Sequence, residues 1–379
     1  MERSELDAWL RLLGTPGVGN ATARRLLRAF GTPEAVFARD EAVLAQAVPA
    51  GVAQALRQPP PGHAALLEAT LAWLQEAPQQ RRLLAPGQPD YPAALLRMED
   101  PPLLLHAMGD FARWPAFVAR PEAPPGLAIV GSRQPTPQGL AHARQFGQGC
   151  AAAGWTVVSG LALGVDGAAH EGALAGMPAD SPQPATIAVV GTGLDRVYPK
   201  AHRALAHAIA AHGMLLSEYP LGTPPLAENF PRRNRLIAGL SRGTLVVEAA
   251  LRSGSLITAR LAAEQGKEVF AVPGSIHAPQ SQGCHALIQQ GAKLVTCLED
   301  VFEEFGAPPA PRPVPAEEAP AAAEDAVLAQ LGFDPIGLDA LVARTGLPAP
   351  RLQARLLELE LQGQVARLPG ALFQRLVTG

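Results

Sequence analysis

Residues 127–133 read Leu-Ala-Ile-Val-Gly-Ser-Arg, an apolar run of four that stops at glycine, serine and a cation. The same grammar returns downstream, with apolar runs at 156–158, 187–190, 214–216, 244–247, 268–272 and 293–295, each followed by a segment of helical pattern. Short buried strands alternating with helices predict a parallel α/β sheet. Seven such strands make a doubly wound sheet, and ligands of such sheets sit beyond the carboxyl ends of the strands.

The residues that follow the runs are rich in Gly, Ser and Arg. Gly131-Ser132-Arg133 follows the first run and Ser159-Gly160-Leu161-Ala162-Leu163-Gly164-Val165-Asp166 the second. Gly191-Thr192-Gly193-Leu194-Asp195 follows the third, and Ser253-Gly254-Ser255 comes after the fifth. Glycine lets the main chain approach an anion, and a helix start adds partial positive charge. Serine at such a start is a favourable cap. Glycine-rich turns also arise from steric need alone, so the signal is the convergence of four loops, which predicts several phosphates.

Residues 229–240 read Asn-Phe-Pro-Arg-Arg-Asn-Arg-Leu-Ile-Ala-Gly-Leu, three arginines and one aromatic opening a segment that turns apolar. Arg232, Arg233 and Arg235 offer planar forks that match phosphate. Phe230, with Pro231 behind it, could present a ring face to an unpaired base. The plain alternative is a solvated helix start with one core phenylalanine. Arg233 and Arg235 are assigned here to a nucleic-acid backbone, Phe230 to stacking and Asn234 to positioning or hydrogen bonding, with Asn229 counted among the DNA-binding residues.

The 379 residues are 48% hydrophobic and 17% charged with a net charge of −3, which describes a globular protein of two or three domains whose nucleic-acid surface must be a local patch. The three cysteines, Cys150, Cys284 and Cys297, lack metal-site spacing, so neither a zinc site nor a disulfide framework is expected. No apolar window is long enough to span a membrane, and a cytoplasmic protein without a cofactor is expected. No GxxxxGK[ST] loop is present, which disfavours NTP hydrolysis, and no GxGxxG follows the first run. Asp166, Asp195, Glu218 and Glu248 fit helix capping or arginine pairing better than catalysis. His170, among small residues, fits packing better than general-base work.

Proline-rich stretches partition the chain. The longest, GAPPAPRPVPAEEAPAAA at 306–323, reads as a semi-rigid linker. The expected organisation is a helical unit at 1–80, the α/β domain at 81–305, the linker, and a winged helix at 324–379. In the first, Leu6, Trp9, Leu10 and Leu13 recur at helical spacing before a Thr15-Pro16-Gly17-Val18-Gly19 turn and a second helix through Leu26 and Phe30. Leu103, Leu104 and Leu105 are expected to pack on the central domain. In the last, Leu338, Leu341 and Val342 fit one helix and Leu352, Leu356 and Leu359 another. Residues 365–368 and 371–376 then form a wing tipped by Pro369-Gly370.

The blocks AIVGSR, VVSGLALGVDGAAHEGAL, GTGLDRVYPK, LLSEYPLGTPP, NFPRRNRLIAGLS, VVEAALRSGSLITARLA and VFAVPG, in this order, resemble the DNA-processing protein A family (DprA, also called Smf). The resemblance spans the whole central domain. It implies an extended Rossmann-like fold that binds single-stranded DNA without catalysis, with Arg133 and Lys200 as phosphate contacts and Ser159, Gly160 and Gly164 lining the same edge. It also implies a homodimer that delivers the strand to the RecA recombinase during natural transformation. His285 stands where the family usually has Asn, and residues 177–184 read as an insertion. The alternative is a nucleoside-monophosphate phosphoribohydrolase on a related fold, since Gly243-Thr244 followed by Glu248 loosely resembles that enzyme's loop; the match lacks its leading glycines and is longer by one residue.

Overall fold

A computed structural model describes residues 1–119, 126–306, 325–333, 335–368 and 370–376; the linker reading and the wing-tip Pro369 lie outside them. Nine strands form one sheet: β1 (Arg81–Leu84), β2 (Leu105–Gly109), β3 (Gly126–Val130), β4 (Thr156–Ser159), β5 (Thr186–Val189), β6 (Met214–Ser217), β7 (Gly243–Val246), β8 (Glu268–Ala271) and β9 (Lys293–Leu294). Their order is β1-β2-β6-β5-β4-β3-β7-β8-β9. All seven predicted runs are strands. They pair in parallel, whereas β2 joins β6 and β1 joins β2 in antiparallel sense.

β3 is central, flanked by β4 and β7, so its carboxyl end is the point where strand order reverses and a crevice opens. Every residue of β3 is buried. Its alternation sends Ala128 and Val130 to one core and Leu127 and Ile129 to the other, as a sheet covered on both faces requires. The two helices on one face, Pro137–Ala152 and Val165–Gly176, touch backbone to backbone. A Cβ at Gly172 or Gly176 would collide with the carbonyl of Arg144 or Gln148, so these positions need glycine for packing.

The N-terminal helices include Arg3–Gly14, Asn20–Phe30 and His63–Glu76. Their core takes in Leu83, Ala85, Leu103 and Leu104, while Leu105 enters the sheet core. The leucine triplet therefore divides: Leu103 and Leu104 precede β2 and join the helical core, and only Leu105, the first residue of β2, packs on the central domain as expected. Trp73 packs with Ala188, Val190 and Ile209 of the central domain. At the other end, helices Ala326–Leu331, Leu338–Thr345 and Ala349–Leu361 pack on a small sheet of β10 (Ile336–Gly337), β11 (Val365–Leu368) and β12 (Leu372–Arg375). Leu341, Leu352, Leu356 and Phe373 close that core, giving a winged helix. Among the described residues no helix is long and apolar enough to cross a membrane.

Candidate nucleic-acid interface

A cleft of about 720 Å³ opens at the carboxyl edge of the sheet, beside the end of β3. Its lining brings together Gly131, Ser132 and Arg133 with Phe230, Arg233 and Asn234, and with Ser253, Gly254 and Ser255. Arg133 is exposed, with its guanidinium carbon 5.6 Å from the centroid of the Phe230 ring. Tyr198, also in the lining, sets its own ring 5.5 Å from that of Phe230. Phe230 is half-buried, so an aromatic face with a cation over it borders open space.

Two of these features escaped the sequence reading. Arg252 lines the cleft and is exposed; it lies inside the block VVEAALRSGSLITARLA, just before the Ser-Gly-Ser triplet, but was given no role there. Tyr198 was visible only as a neighbour of Lys200, which is exposed two residues further on and outside the lining. The charged residues of the lining are Arg133, Arg233 and Arg252 against the single carboxylate Asp166, so this patch is basic within a chain of net charge −3.

Arg233 does not reach for a phosphate. It is 4% exposed; Nη1 donates to Gly160 O at 2.5 Å and also to Val189 O, and Nε donates to Asn234 Oδ1 at 3.0 Å. Burial pushes it down to about 10, against the opposing charge of Asp166. Gly160 is glycine because a Cβ there would strike this guanidinium. Arg235 is likewise occupied, both oxygens of Glu218 lying 2.5 and 2.6 Å from Nη2. Consecutive helix positions are turned by about 100°, so arginines that look equivalent in a string point three ways. Arg232 alone of the three is exposed.

The expected backbone cradles are mostly closed. The amides of Gly160 and Ala162 donate to Asp166 Oδ2 at 3.1 and 3.3 Å. Burial raises Asp166, with Arg233 and these two amides opposing. Ser159 is fully buried and gives its hydroxyl to Ile129 O at 2.6 Å, so it does not line the cleft. Gly164 supports the turn from behind, since a Cβ would press on Ser132, Arg133 and Pro135. The loop of Gly191 to Leu194 is buried, and Asn229 donates from Nδ2 to Gly191 O at 3.0 Å, which makes Asn229 a support and not a contact. After Arg133 the helix begins only at Pro137, capped by Thr136. The exception is the start of the helix Ser255–Glu264, whose Gly254 is exposed at the cleft.

The remaining polar candidates are bonded within the fold. Glu248 accepts from Thr136 N at 2.9 Å and Thr136 Oγ1 at 2.5 Å, and burial raises it. Asp195 accepts from Gly222 N at 2.9 Å and pairs with Arg196 at 2.9 Å. His170 is fully buried, with Nδ1 2.6 Å from Thr186 Oγ1. His285 Nε2 lies 3.0 Å from Gly274 O, so the residue that replaces asparagine still ties down its loop.

Residues 82–306 match the family model for DNA recombination-mediator protein A, and residues 308–371 match that for the DprA winged helix domain. The chain is 43% identical over 313 residues to protein Smf of Escherichia coli, covering 80% of this chain and 79% of that one. The crystal structure of DNA processing protein A from Streptococcus pneumoniae superposes with a TM-score of 0.59 at 37% identity, covering 79% of this chain and 97% of that one. DNA processing protein A from Helicobacter pylori, whose structure describes a mode of single-stranded DNA binding, gives a TM-score of 0.51 at 31% identity over 60% of this chain and 95% of its own. Two matching domains in the same order, with a relative covered over most of its length, establish that this chain belongs to the DNA recombination-mediator protein A family.

Proposed function

We propose that the cleft at the end of β3 holds single-stranded DNA, and that the protein works as a non-enzymatic, homodimeric mediator that passes the strand to the RecA recombinase during natural transformation. The observation that carries the DNA reading is the pairing of Arg133 with Phe230 in an open basic cleft at the switch point of the sheet. A cation and a ring face side by side serve a phosphate and an unpaired base, which duplex DNA does not offer. Single-stranded DNA binding by the H. pylori relative supports the same reading. Family membership supports a role in recombination. The non-enzymatic reading draws support from Asp195, Glu218 and Glu248, each committed to hydrogen bonds or ion pairs inside the fold.

Binding of this kind is largely independent of sequence and falls steeply with salt. The test is fluorescence anisotropy of labelled oligo-dT and its duplex counterpart across a salt series, followed by RecA-dependent strand exchange. Tight, salt-sensitive binding of oligo-dT over duplex is expected, and absence of binding by the native protein would overturn the reading. Release of free base from AMP, lost in Glu248→Ala, would establish the hydrolase instead.

A further inference from the structure

The helix that carries Phe230 is gripped from behind by a polar network that reaches the N-terminal helical unit. On the helix Asn229–Leu240, Arg235 lies on a different side from Phe230 and places Nη2 2.5 and 2.6 Å from the oxygens of Glu218, with side chains of both residues 15% exposed. Glu218 follows directly after β6, at the carboxyl edge of the sheet. Its neighbour Tyr219 donates from its hydroxyl to Asn229 O at 3.1 Å, so two consecutive residues hold the helix at its first turn and again at Arg235. Glu218 also accepts from Asn20 Nδ2 at 2.9 Å. Asn20 is the first residue of the helix Asn20–Phe30. That helix sends Arg24 onto Asp100, and Asp100 lies 3.5 Å from Arg235 and 3.4 Å from Asn20.

Four charges therefore alternate, Arg24, Asp100, Arg235 and Glu218, and neutralise one another between the helical unit and the helix of the cleft. Resting on the reading that the cleft binds single-stranded DNA, we propose that Glu218 is a positioning residue for that binding. Through Glu218 and Asp100 the helical unit sets the angle at which Phe230 and Asn234 meet the strand. Glu218 itself touches no DNA. The sign of its effect separates this role from plain electrostatics: removing a carboxylate beside a DNA cleft by charge alone tightens binding, whereas loosening the grip on the helix weakens it.

The experiment measures oligo-dT affinity of the full chain against salt for the native protein and for Glu218→Gln, Arg24→Ala and Arg235→Gln, each checked by thermal melting to be folded at the assay temperature. Glu218→Gln and Arg24→Ala are expected to weaken binding roughly three- to tenfold while leaving the slope of log affinity against log salt unchanged. Tighter or unaltered binding by folded Glu218→Gln would overturn the proposal. So would a fall of about one in the salt slope for Arg235→Gln, because that residue would then be a direct phosphate contact. If Glu218→Gln does not fold, Arg24→Ala decides, since Arg24 belongs to the other unit and an unchanged affinity there means the units are not coupled. Failure of the native protein to bind oligo-dT would instead overturn the cleft reading itself.

Discussion

Arg133 and Phe230, almost a hundred positions apart in the chain, meet across the cleft with the guanidinium carbon 5.6 Å from the ring centroid. One comes from the loop after β3 and the other from the helix that packs beside it. Each holds the other in place: the cation lies against the ring, and the ring keeps the long arginine side chain from wandering.

Substituting either residue therefore has a distinct signature. Phe230→Ala is expected to cost about 1–3 kcal/mol of oligo-dT binding through lost stacking, with the salt slope nearly intact. Arg133→Ala should weaken binding and lower the slope by about one phosphate contact. Anisotropy titrations at several salt concentrations separate the two; equal slopes for both variants would show that Arg133 does not neutralise a phosphate.

Arg252 adds a further cation to the lining of the cleft. Arg252→Ala is expected to weaken single-strand binding and to lower the salt slope by about one, with no change in melting temperature because the side chain is exposed. A melting shift without an affinity change would assign it to the fold.

For Arg233 the expectation is reversed. Arg233→Ala removes the buried partner of the Gly160 and Val189 carbonyls and takes from Asp166 the larger of its two opposing charges. Breaking such an arrangement costs about 3–5 kcal/mol of stability. Gly160→Ala should act the same way by displacing the guanidinium. Denaturant melts check both, and a fully stable Arg233→Ala that binds DNA weakly would restore Arg233 as a DNA contact.

Acid should loosen the central domain while the arginines of the cleft stay charged. Burial pushes His106 from 6.5 down to about 4 and His170 from 6.5 down to about 3. The unfolded chain takes up these protons near pH 6.5 and the folded one does not, so the stabilisation is complete above pH 6.5 and drains as pH falls towards 4. Each histidine contributes a slope of roughly 1.4 kcal/mol per pH unit. Asp166 and Glu248, raised by burial, oppose this slope. Comparison with His106→Leu isolates one histidine: urea melts from pH 7.5 to 4.5 should fall less steeply for the variant, and parallel curves would refute the assignment.

The parallel sheet was legible because its strands are compact, mostly apolar runs, four of the seven closed by glycine or serine, as strands covered on both faces read. β1 and β2 were hidden: Arg-Arg-Leu-Leu and Leu-His-Ala-Met-Gly are too short and mixed to declare themselves, and their antiparallel pairing needs no crossover helix. The convergence of Gly131 to Arg133, Phe230 and Ser253 to Ser255 on one cleft was legible as well. What each residue does there was not. Residue type reveals that Arg232, Arg233 and Arg235 are cationic, and only the rotation of the helix decides that the second is buried and the third ion-paired. Asp166 shows the converse, a carboxylate that occupies the very amides read as an anion cradle.

The apolar strip of Leu83, Ala85, Leu103 and Leu104 belongs by chain position to the central domain and by packing to the helices before it. Those helices are therefore grafted into the sheet's margin. A descendant that discarded them would bare an oily band along β1, the outermost strand, next to unpaired main-chain groups that invite edge-to-edge association. Removing the helical unit without that exposure requires the strip to turn polar or to gain a substitute cover.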